Sequence, residues 1–287
     1  MTGFPEAAAE RVLRAALEED IGPGDVTTRA VVPPGTRVEA RLLAKQDLVL
    51  AGLPGFVRAF ELVGPGVTWT LRAADGDRVD SGTVVAVAHG DAQVLLTAER
   101  TALNLLQRLS GIATQASEWV RELDGTRARL VDTRKTTPGL RALEKYAVRV
   151  GGAANHRFGL FDGILIKDNH IRAAGGVAAA VTAARRNAPH TLKVEVEVTT
   201  LAELDQALAV GADAVLLDNM DLDTLRRAVE RTAGKAVLEA SGGVTRDRLR
   251  AIAQTGVDLI SAGALTHSAP AADLSLLFRE ADDEPTA

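Results

Sequence analysis

The chain has no cysteine and few aromatic residues. The absence of cysteine from 287 residues excludes disulfide bonds, thiol nucleophiles and cysteine-ligated zinc, and is typical of a reducing cytoplasm. Aromatic residues make up 3% of the chain and hydrophobic residues 46%, so the core is predicted to consist mainly of small aliphatic side chains. No apolar run approaches the roughly 18 residues of a membrane span, and the acidic, amphipathic N-terminus does not resemble a signal peptide. We therefore expect a cytoplasmic protein without a membrane partner.

Lysine is also scarce, and its distribution is uneven. The chain has six lysines, and three of them lie between Asp132 and His170, a stretch with seven Lys or Arg residues and four acids. The whole chain has a net charge of −5, which argues against general nucleic-acid binding, so this stretch is expected to bind a small anionic ligand. An alternative for its 141–149 segment is an exposed helix with ion pairs, because that spacing suits such a face. This alternative concerns Arg141, Glu144, Lys145 and Arg149.

The first part of the chain is predicted to form an α+β sandwich domain over residues 1–117. Residues 1–20 have helical periodicity, short strands separated by Gly, Asp and Pro follow, and 91–117 carry a helical apolar stripe from which Arg100 faces away. The phrase ADGDRVDSGTVVAVAHG resembles the hammerhead fold of biotinyl and lipoyl carriers. No lysine occurs between Lys45 and Lys135, so this segment lacks a residue to modify and is expected to be architectural.

Residues 118–268 alternate short apolar runs with helices and are predicted to form a parallel α/β barrel, with a C-terminal helix or tail at 269–287. Polar residues recur at one end of every run, which favours a barrel over an open sheet, where they would concentrate at a single switch point. The predicted strands are Ala128–Asp132, Ile164–Lys167, Lys193–Val198, Ala214–Asp218, Ala236–Ala240 and Leu259–Ala262.

Charged residues of both signs are expected at the mouth of this barrel. Strict alternation in KVEVEV directs Glu195 and Glu197 to the same side, and Asp218 ends the next strand. Carboxylates of this kind suit Mg²⁺ bound together with a substrate phosphate. The alternative is that Glu195 and Glu197 only form ion pairs with Lys135 and Lys167.

Two small-residue turns follow the last two strands. EASGGVT and SAGALTHS place serine, glycine and alanine between a strand and a helix, where free backbone N–H groups can bind a phosphate. Barrels commonly use the loops after their last strands for this purpose.

The motifs DTRKTTPG, GGAANHRFGLFDGILIKDNH, VEVEV, LLDN, EASGG and SAGALTHS together resemble those of the quinolinate phosphoribosyltransferase family, also called nicotinate-nucleotide pyrophosphorylase (carboxylating). The resemblance covers nearly the whole chain. It implies an incomplete α/β barrel, an N-terminal sandwich domain, a homodimer with shared active sites, and Mg²⁺. It also implies the condensation of quinolinate with phosphoribosyl pyrophosphate to nicotinate mononucleotide, CO₂ and pyrophosphate, in NAD synthesis.

The same resemblance assigns roles to individual residues. Quinolinate would be bound by Arg134, His156, Arg157 and Lys167, with Arg100 supplied by the neighbouring subunit. Lys135, Glu197 and Asp218 would contact the ribose and the metal and are the expected catalytic residues. Glu197 and Asp218 are the expected metal ligands. The remaining expected substrate-binding residues are Thr133, Ser241, Gly242, Gly243, Ser261 and Gly263.

Three other functions stay open at this point. Lys167 at a strand end could form a Schiff base in an aldolase or decarboxylase. A carrier module is the non-enzymatic alternative, and a molybdenum-transport-associated relative is the nearest alternative within the family. The relative importance of Glu195 and Glu197 is also open.

Overall fold

The computed structural model describes residues 3–279. Its strands are β1 Arg37–Ala44, β2 Leu48–Val49, β3 Val67–Leu71, β4 Arg78–Val79, β5 Val84–Asp91, β6 Arg129–Val131, β7 Ile164–Ile166, β8 Val194–Val198, β9 Ala214–Asp218, β10 Val237–Ser241, β11 Leu259–Ser261 and β12 Leu274–Phe278. Its helices are α1 Glu6–Ile21, α2 Val26–Val31, α3 Leu53–Val63, α4 Ala92–Arg121, α5 Arg141–Val150, α6 Asp168–Ala174, α7 Val177–Asn187, α8 Leu201–Ala209, α9 Leu222–Thr232, α10 Arg246–Ala253 and α11 Ala264–His267. Across this described part, no helix is long and apolar enough to cross a membrane.

The described chain divides into two compact units. The first comprises residues 3–117, 137–152 and 269–279, and the second comprises residues 118–136 and 153–268. The prediction of a catalytic domain that runs unbroken from 118 to 268 therefore differs from the structure, because the segment with α5 packs into the first unit.

The first unit is built on an antiparallel sheet with the strand order β12-β1-β5-β3. Buried positions alternate with partly exposed ones along β1, which shows that one face of this sheet covers the core. The few aromatic residues concentrate here: Phe56 and Phe60 of α3 are fully buried, and their rings lie 5.1 and 4.9 Å from that of Trp69.

Helix α5 is buried, which rules out the alternative of an exposed helix with surface ion pairs. Glu144 and Lys145 are 0% and 2% exposed. The Glu144 carboxylate accepts a hydrogen bond from Arg108 Nη2 at 2.8 Å and two from Thr137, through its backbone N at 3.1 Å and its Oγ1 at 2.7 Å. The exposed face was inferred from residue spacing within the helix alone. The partners of Glu144 are Arg108 and Thr137, which lie outside the helix and compensate the buried charge.

The predicted C-terminal helix or tail is also corrected where the structure describes it. Residues 274–278 form strand β12, which pairs antiparallel with β1 from Ala40↔Phe278 to Ala44↔Leu274. The segment is a strand because its backbone groups complete the ladder at the edge of β1. Residues 1–2 and 280–287 of the predicted terminal segments lie outside the described residues.

The second unit confirms the incomplete α/β barrel. All six predicted strands are present with ends shifted by at most one residue, and they form one parallel sheet in the order β6-β11-β10-β9-β8-β7. Strands β6 and β7 are the two edges, so the barrel is not closed. Strand β9, with the sequence AVLLD, shows the apolar run expected of a strand covered on both faces, and its polar residue comes last. The carboxyl ends of these strands therefore carry the polar side chains.

Candidate active site

A cavity of about 700 Å³ lies at the carboxyl ends of the barrel strands, within the second unit. It brings together every predicted site residue except Arg100, which is an exposed residue of α4 in the first unit. The predicted residues that line it are Thr133, Arg134, Lys135, His156, Arg157, Lys167, Glu197, Asp218, Ser241, Gly242, Gly243, Ser261 and Gly263. Residues at the ends of six different strands therefore line one cavity.

Two arginines, Arg134 and Arg157, are neighbours in the cavity. The pKa of Arg157 is lowered, first by burial and then by the like charge of Arg134, while Glu195 and Asp162 oppose this shift. Arg157 Nη1 donates to the carbonyl of Gly163 at 3.0 Å, and its buried Nε has no hydrogen-bond partner within residues 3–279. Neighbouring cations are suited to an anion that bridges them.

The position of His156 is fixed from several directions. The fully buried Asp132 accepts hydrogen bonds from the His156 backbone N at 2.8 Å and from Asn155 Nδ2 at 2.7 Å. The ring Nδ1 accepts a hydrogen bond from the backbone N of Arg157 at 2.7 Å. The ring Nε2 lies 3.1 Å from Glu195 Oε2. Asp132 begins the basic stretch but was not among the predicted site residues, because its structural role needs a loop that lies 23 residues further along the chain.

Glu239 of β10 is a site residue that the sequence did not single out. It lines the cavity but is only 1% exposed, and its Oε2 lies 3.5 Å from His156 Nε2. Burial, and then the neighbouring Glu195, raise the pKa of Glu239 to about 7, while His156, Ser261 and Lys167 act in the opposite direction. In the sequence, Glu239 was noted only as the first residue of the EASGG turn.

Glu195 and Glu197 of β8 have different partners. Lys167 Nζ donates to Glu197 Oε2 at 3.0 Å, which agrees with one half of the ion-pair alternative. Glu195 is paired with His156 rather than with a lysine, and unlike Glu197 it does not line the cavity. Glu197 is therefore the carboxylate of this strand that faces the cavity, beside Asp218 at the end of β9.

The turn after β10 has a backbone conformation with positive φ angles that few residue types other than glycine adopt. Gly242 and Gly243 have φ values of 90° and 55°, and a Cβ at Gly242 would collide with the amide group of Asn219. Asn219 itself has a φ of 54° and donates through Nδ2 to Asp218 Oδ2 at 2.9 Å. The hydroxyl of Ser261 donates to that of Ser241 at 2.9 Å, which links the ends of β10 and β11. Asn219 and His267 also line the cavity and were not predicted.

An incomplete barrel whose strand ends combine neighbouring arginines, cavity-lining carboxylates and glycine turns is the arrangement of an enzyme that joins two anionic substrates. Family models identify the enzyme further. The model described as "Quinolinate phosphoribosyl transferase, C-terminal domain" matches residues 112–277, and the corresponding N-terminal domain model matches residues 25–110. The chain belongs to the quinolinate phosphoribosyltransferase family, which confirms the resemblance in its motifs.

Individual relatives agree with this assignment. A probable nicotinate-nucleotide pyrophosphorylase (carboxylating) of Bacillus subtilis is 46% identical over 93% of this chain and 92% of its own length. A nicotinate-nucleotide pyrophosphorylase (carboxylating) of Mycobacterium leprae is 46% identical over 94% of this chain and 96% of its own. The solved nicotinate-nucleotide pyrophosphorylase of Francisella tularensis superposes with a TM-score of 0.93 at 41% identity, over 97% of this chain and 98% of that one. The expected enzyme class, a pentosyltransferase, is confirmed with the family.

Proposed function

We propose that this chain transfers the phosphoribosyl group of phosphoribosyl pyrophosphate to quinolinate and removes CO₂, which yields nicotinate mononucleotide and pyrophosphate. The observation that carries the proposal is the convergence of neighbouring arginines, carboxylates and glycine turns in a single cavity of a chain that belongs to this family. The chemistry requires the C1–O bond to pyrophosphate to break, the C1–N bond to the pyridine ring to form, and a proton to replace the 2-carboxylate as CO₂.

In this proposal, quinolinate is bound by Arg134, Arg157, His156 and Lys167. The support is that burial, and then the like charge of Arg134, lower the pKa of Arg157, and that Arg157 has a buried Nε available for an acceptor. Guanidinium groups bind carboxylates through two parallel hydrogen bonds, and quinolinate has two adjacent carboxylates. A dianion therefore relieves the repulsion that these cations otherwise sustain.

Phosphoribosyl pyrophosphate is proposed to contact the opposite wall of the cavity. Lys135 follows β6, and its backbone is fixed by Thr133 Oγ1 and Thr266 Oγ1 at 3.0 and 2.8 Å, so its ammonium is available to the leaving pyrophosphate. Glu197 and Asp218 would stabilise the positive charge that develops at C1 of the ribose. The 5′-phosphate would accept hydrogen bonds around the serine and glycine residues at the ends of β10 and β11, namely Ser241, Gly242, Gly243, Ser261 and Gly263.

The carboxylates of Glu197 and Asp218 also fit the proposed Mg²⁺. Both are hard oxygen donors that line the same cavity, although Glu197 is shared with Lys167 at 3.0 Å. When bound, Mg²⁺ would neutralise charge on the pyrophosphate oxygens.

We also propose a homodimer whose partner supplies Arg100. Arg100 is exposed in the first unit, whereas the cavity lies in the second. Next to Arg157 in sequence, Leu160 and Phe161 are each 74% exposed, and apolar side chains of this size at a surface favour a protein partner. A cytoplasmic location is proposed on the absence of cysteine.

The alternative in which Lys167 forms a Schiff base has less support. A Schiff base needs an amine that is free to attack a carbonyl group, whereas Lys167 Nζ donates a hydrogen bond to Glu197 Oε2 at 3.0 Å.

The test is to incubate the purified chain with quinolinate, phosphoribosyl pyrophosphate and Mg²⁺ and to measure nicotinate mononucleotide and CO₂. We expect both products in equal amounts, and none when EDTA removes the metal. Nicotinate in place of quinolinate is the matched control, because the absence of one carboxylate leaves buried cations unpaired and should lower kcat/KM at least about 30-fold. Equal turnover of the two acids, or no turnover of quinolinate, would contradict the proposal.

A further inference from the structure

Three titratable groups lie together at the cavity, and two of them, His156 and Glu239, line it. One ring nitrogen of His156 and one carboxylate oxygen each of Glu195 and Glu239 lie within 4.8 Å of one another. The three residues come from different parts of the barrel, namely the loop that follows the Val131–Ala154 bridge, strand β8 and strand β10. The proposed function uses His156, but it gives no role to Glu239.

The tautomer of His156 is determined by the backbone. The N–H of Arg157 points at His156 Nδ1 at 2.7 Å, and the position of a backbone hydrogen is fixed by the peptide plane, so Nδ1 carries a lone pair and no proton. The neutral ring must then carry its proton on Nε2, which faces the two carboxylates at 3.1 and 3.5 Å. An Nε2–H has no lone pair for a cation. The group therefore has the residue types of a metal site without a usable nitrogen ligand.

A single N–H thus faces two buried carboxyl groups. Glu195 Oε2 is the nearer acceptor, and neither oxygen of Glu239 has a hydrogen-bond partner within the described chain. Two ionised carboxylates at this separation, with one neutral donor between them, would repel each other at a buried position. A proton on Glu239 removes this repulsion and leaves one negative charge, on Glu195, to accept the hydrogen bond from His156.

We infer that Glu239 is a positioning residue that acts as a neutral carboxylic acid, leaving Glu195 as the acceptor of the His156 Nε2–H and keeping a second negative charge away from the site for the quinolinate dianion. The inference rests on the proposed quinolinate site. It adds Glu239 to that site, and Glu239 is almost fully buried and acts through the His156 imidazole.

The charged state of Glu239 should change near neutral pH. The groups that face it are Glu195 on β8, His156 on its loop, Ser261 on β11 and Lys167 beyond β7. Because its pKa is raised to about 7, the carboxyl is neutral below that pH and ionised above it. Quinolinate stays a dianion throughout this range, so an increase in its KM with pH comes from the protein.

The test compares the quinolinate KM, the phosphoribosyl pyrophosphate KM and kcat between pH 6 and 9. For the unaltered chain, we expect the quinolinate KM to rise up to about tenfold per pH unit above neutrality, because the neutral fraction of a carboxyl falls at that rate above its pKa. The phosphoribosyl pyrophosphate KM should change much less. In Glu239→Gln, which keeps a neutral polar side chain at every pH, the quinolinate KM should vary less than about twofold over the same range.

Two further variants separate positioning from structure. Glu239→Ala should raise the quinolinate KM at pH 6, and Glu239→Gln should recover most of that loss relative to Glu239→Ala. Asp223→Asn, on the surface of α9, removes one charge far from the cluster and should keep the pH profile of the unaltered chain. The inference is overturned if Glu239→Gln and the unaltered chain show the same dependence of quinolinate KM on pH.

A spectroscopic measurement covers the case in which the variants do not fold. Nitrogen NMR of the unaltered protein should show His156 with an unprotonated Nδ1 and a protonated Nε2 at pH 6, and a protonated Nδ1 would overturn the inference directly. If the proposed quinolinate site itself were wrong, the kinetic result would be different. In that case Arg157→Ala would leave the quinolinate KM unchanged at pH 6, whatever the behaviour of Glu239.

Discussion

At the scale of single residues, the shape of the Arg157 guanidinium matters as well as its charge. Its Nη1 is already bonded to the carbonyl of Gly163, so its orientation is fixed before a ligand arrives. Arg157→Lys keeps the charge but removes the planar pair of donors, so we expect the quinolinate KM to rise about tenfold while the phosphoribosyl pyrophosphate KM stays within about twofold. Steady-state kinetics with each substrate varied in turn provide the measurement.

The control for this prediction is Arg172→Lys on α6. That side chain is 76% exposed and pairs with Asp168, so the same exchange should leave both KM values unchanged. An equal effect of the two substitutions would mean that Arg157 contributes only general positive charge.

The residues that sequence analysis placed in the cavity, and those it missed, differ in a physical way. Lys135 and Lys167 could be predicted because a charge directly after a short apolar run has to leave the core at the strand's end. Glu239 and Asp132 could not, because both are acids inside or next to such a run, and their environment depends on loops and strands far along the chain. Pattern analysis detects charges that face solvent or ligand better than charges that are compensated internally.

At the scale of single elements, helix α5 is held by a buried acid. Glu144→Ala would leave the part-buried guanidinium of Arg108 and the Thr137 hydroxyl without their shared acceptor. We expect a loss of about 3 kcal/mol in the free energy of unfolding, since removal of one partner of a buried pair strands the other. Urea denaturation followed by circular dichroism would measure it.

Glu61→Ala on α3 is the matched control, because it breaks an exposed pair with Arg58 and should cost less than about 1 kcal/mol. If the two variants were equally stable, Glu144 would have no role in holding α5.

Helix α4 has a contact that allows no side chain. A Cβ at Gly111 would coincide with the backbone carbonyl of Pro270, on the segment that leads to β12. Gly111→Ala improves helix propensity by about 1 kcal/mol, yet we expect a net loss of more than about 2 kcal/mol, because the backbone of 269–272 has to move. Thermal unfolding would measure this loss. In the same experiment Asn104→Ala, at an exposed position of α4, should leave the stability unchanged or raise it. A stabilised Gly111→Ala would show that the segment at Pro270 adjusts without cost.

A helix or strand could be predicted from the sequence where nearby residues alone decide its type. The six barrel strands are short apolar runs between polar turns, and the structure has each of them with ends within one residue of the prediction. Strand β12 was expected as part of a helix or tail because LSLLF has no neighbouring turn or partner in sequence. It is a strand only because β1, more than 230 residues earlier, offers a free edge.

At the scale of the whole molecule, the proposed shared active site makes a prediction about mixtures. Arg100→Ala and Lys135→Ala should each be nearly inactive alone. In a fully exchanged equal mixture, half of the dimers are mixed and each contains one intact site, so about a quarter of the unaltered activity should return. Turnover measured after the two variants are refolded together tests this.

The control mixes Lys135→Ala with Lys167→Ala. Both residues line the same cavity of one chain, so every site in a mixed dimer contains a lesion and no activity should return. Recovery in this control, or none with Arg100→Ala, would contradict a site shared between subunits.

The pairing of β12 with β1 also has a consequence for biosynthesis. The ribosome makes β1 early, but the outer edge of β1 receives a partner only when residues 274–278 have been synthesised. Until then, a nascent chain exposes the backbone hydrogen-bonding groups of β1, which is the kind of edge that pairs with other chains. Premature termination before Leu274 would make this exposure permanent, although every residue that lines the cavity would already have been synthesised.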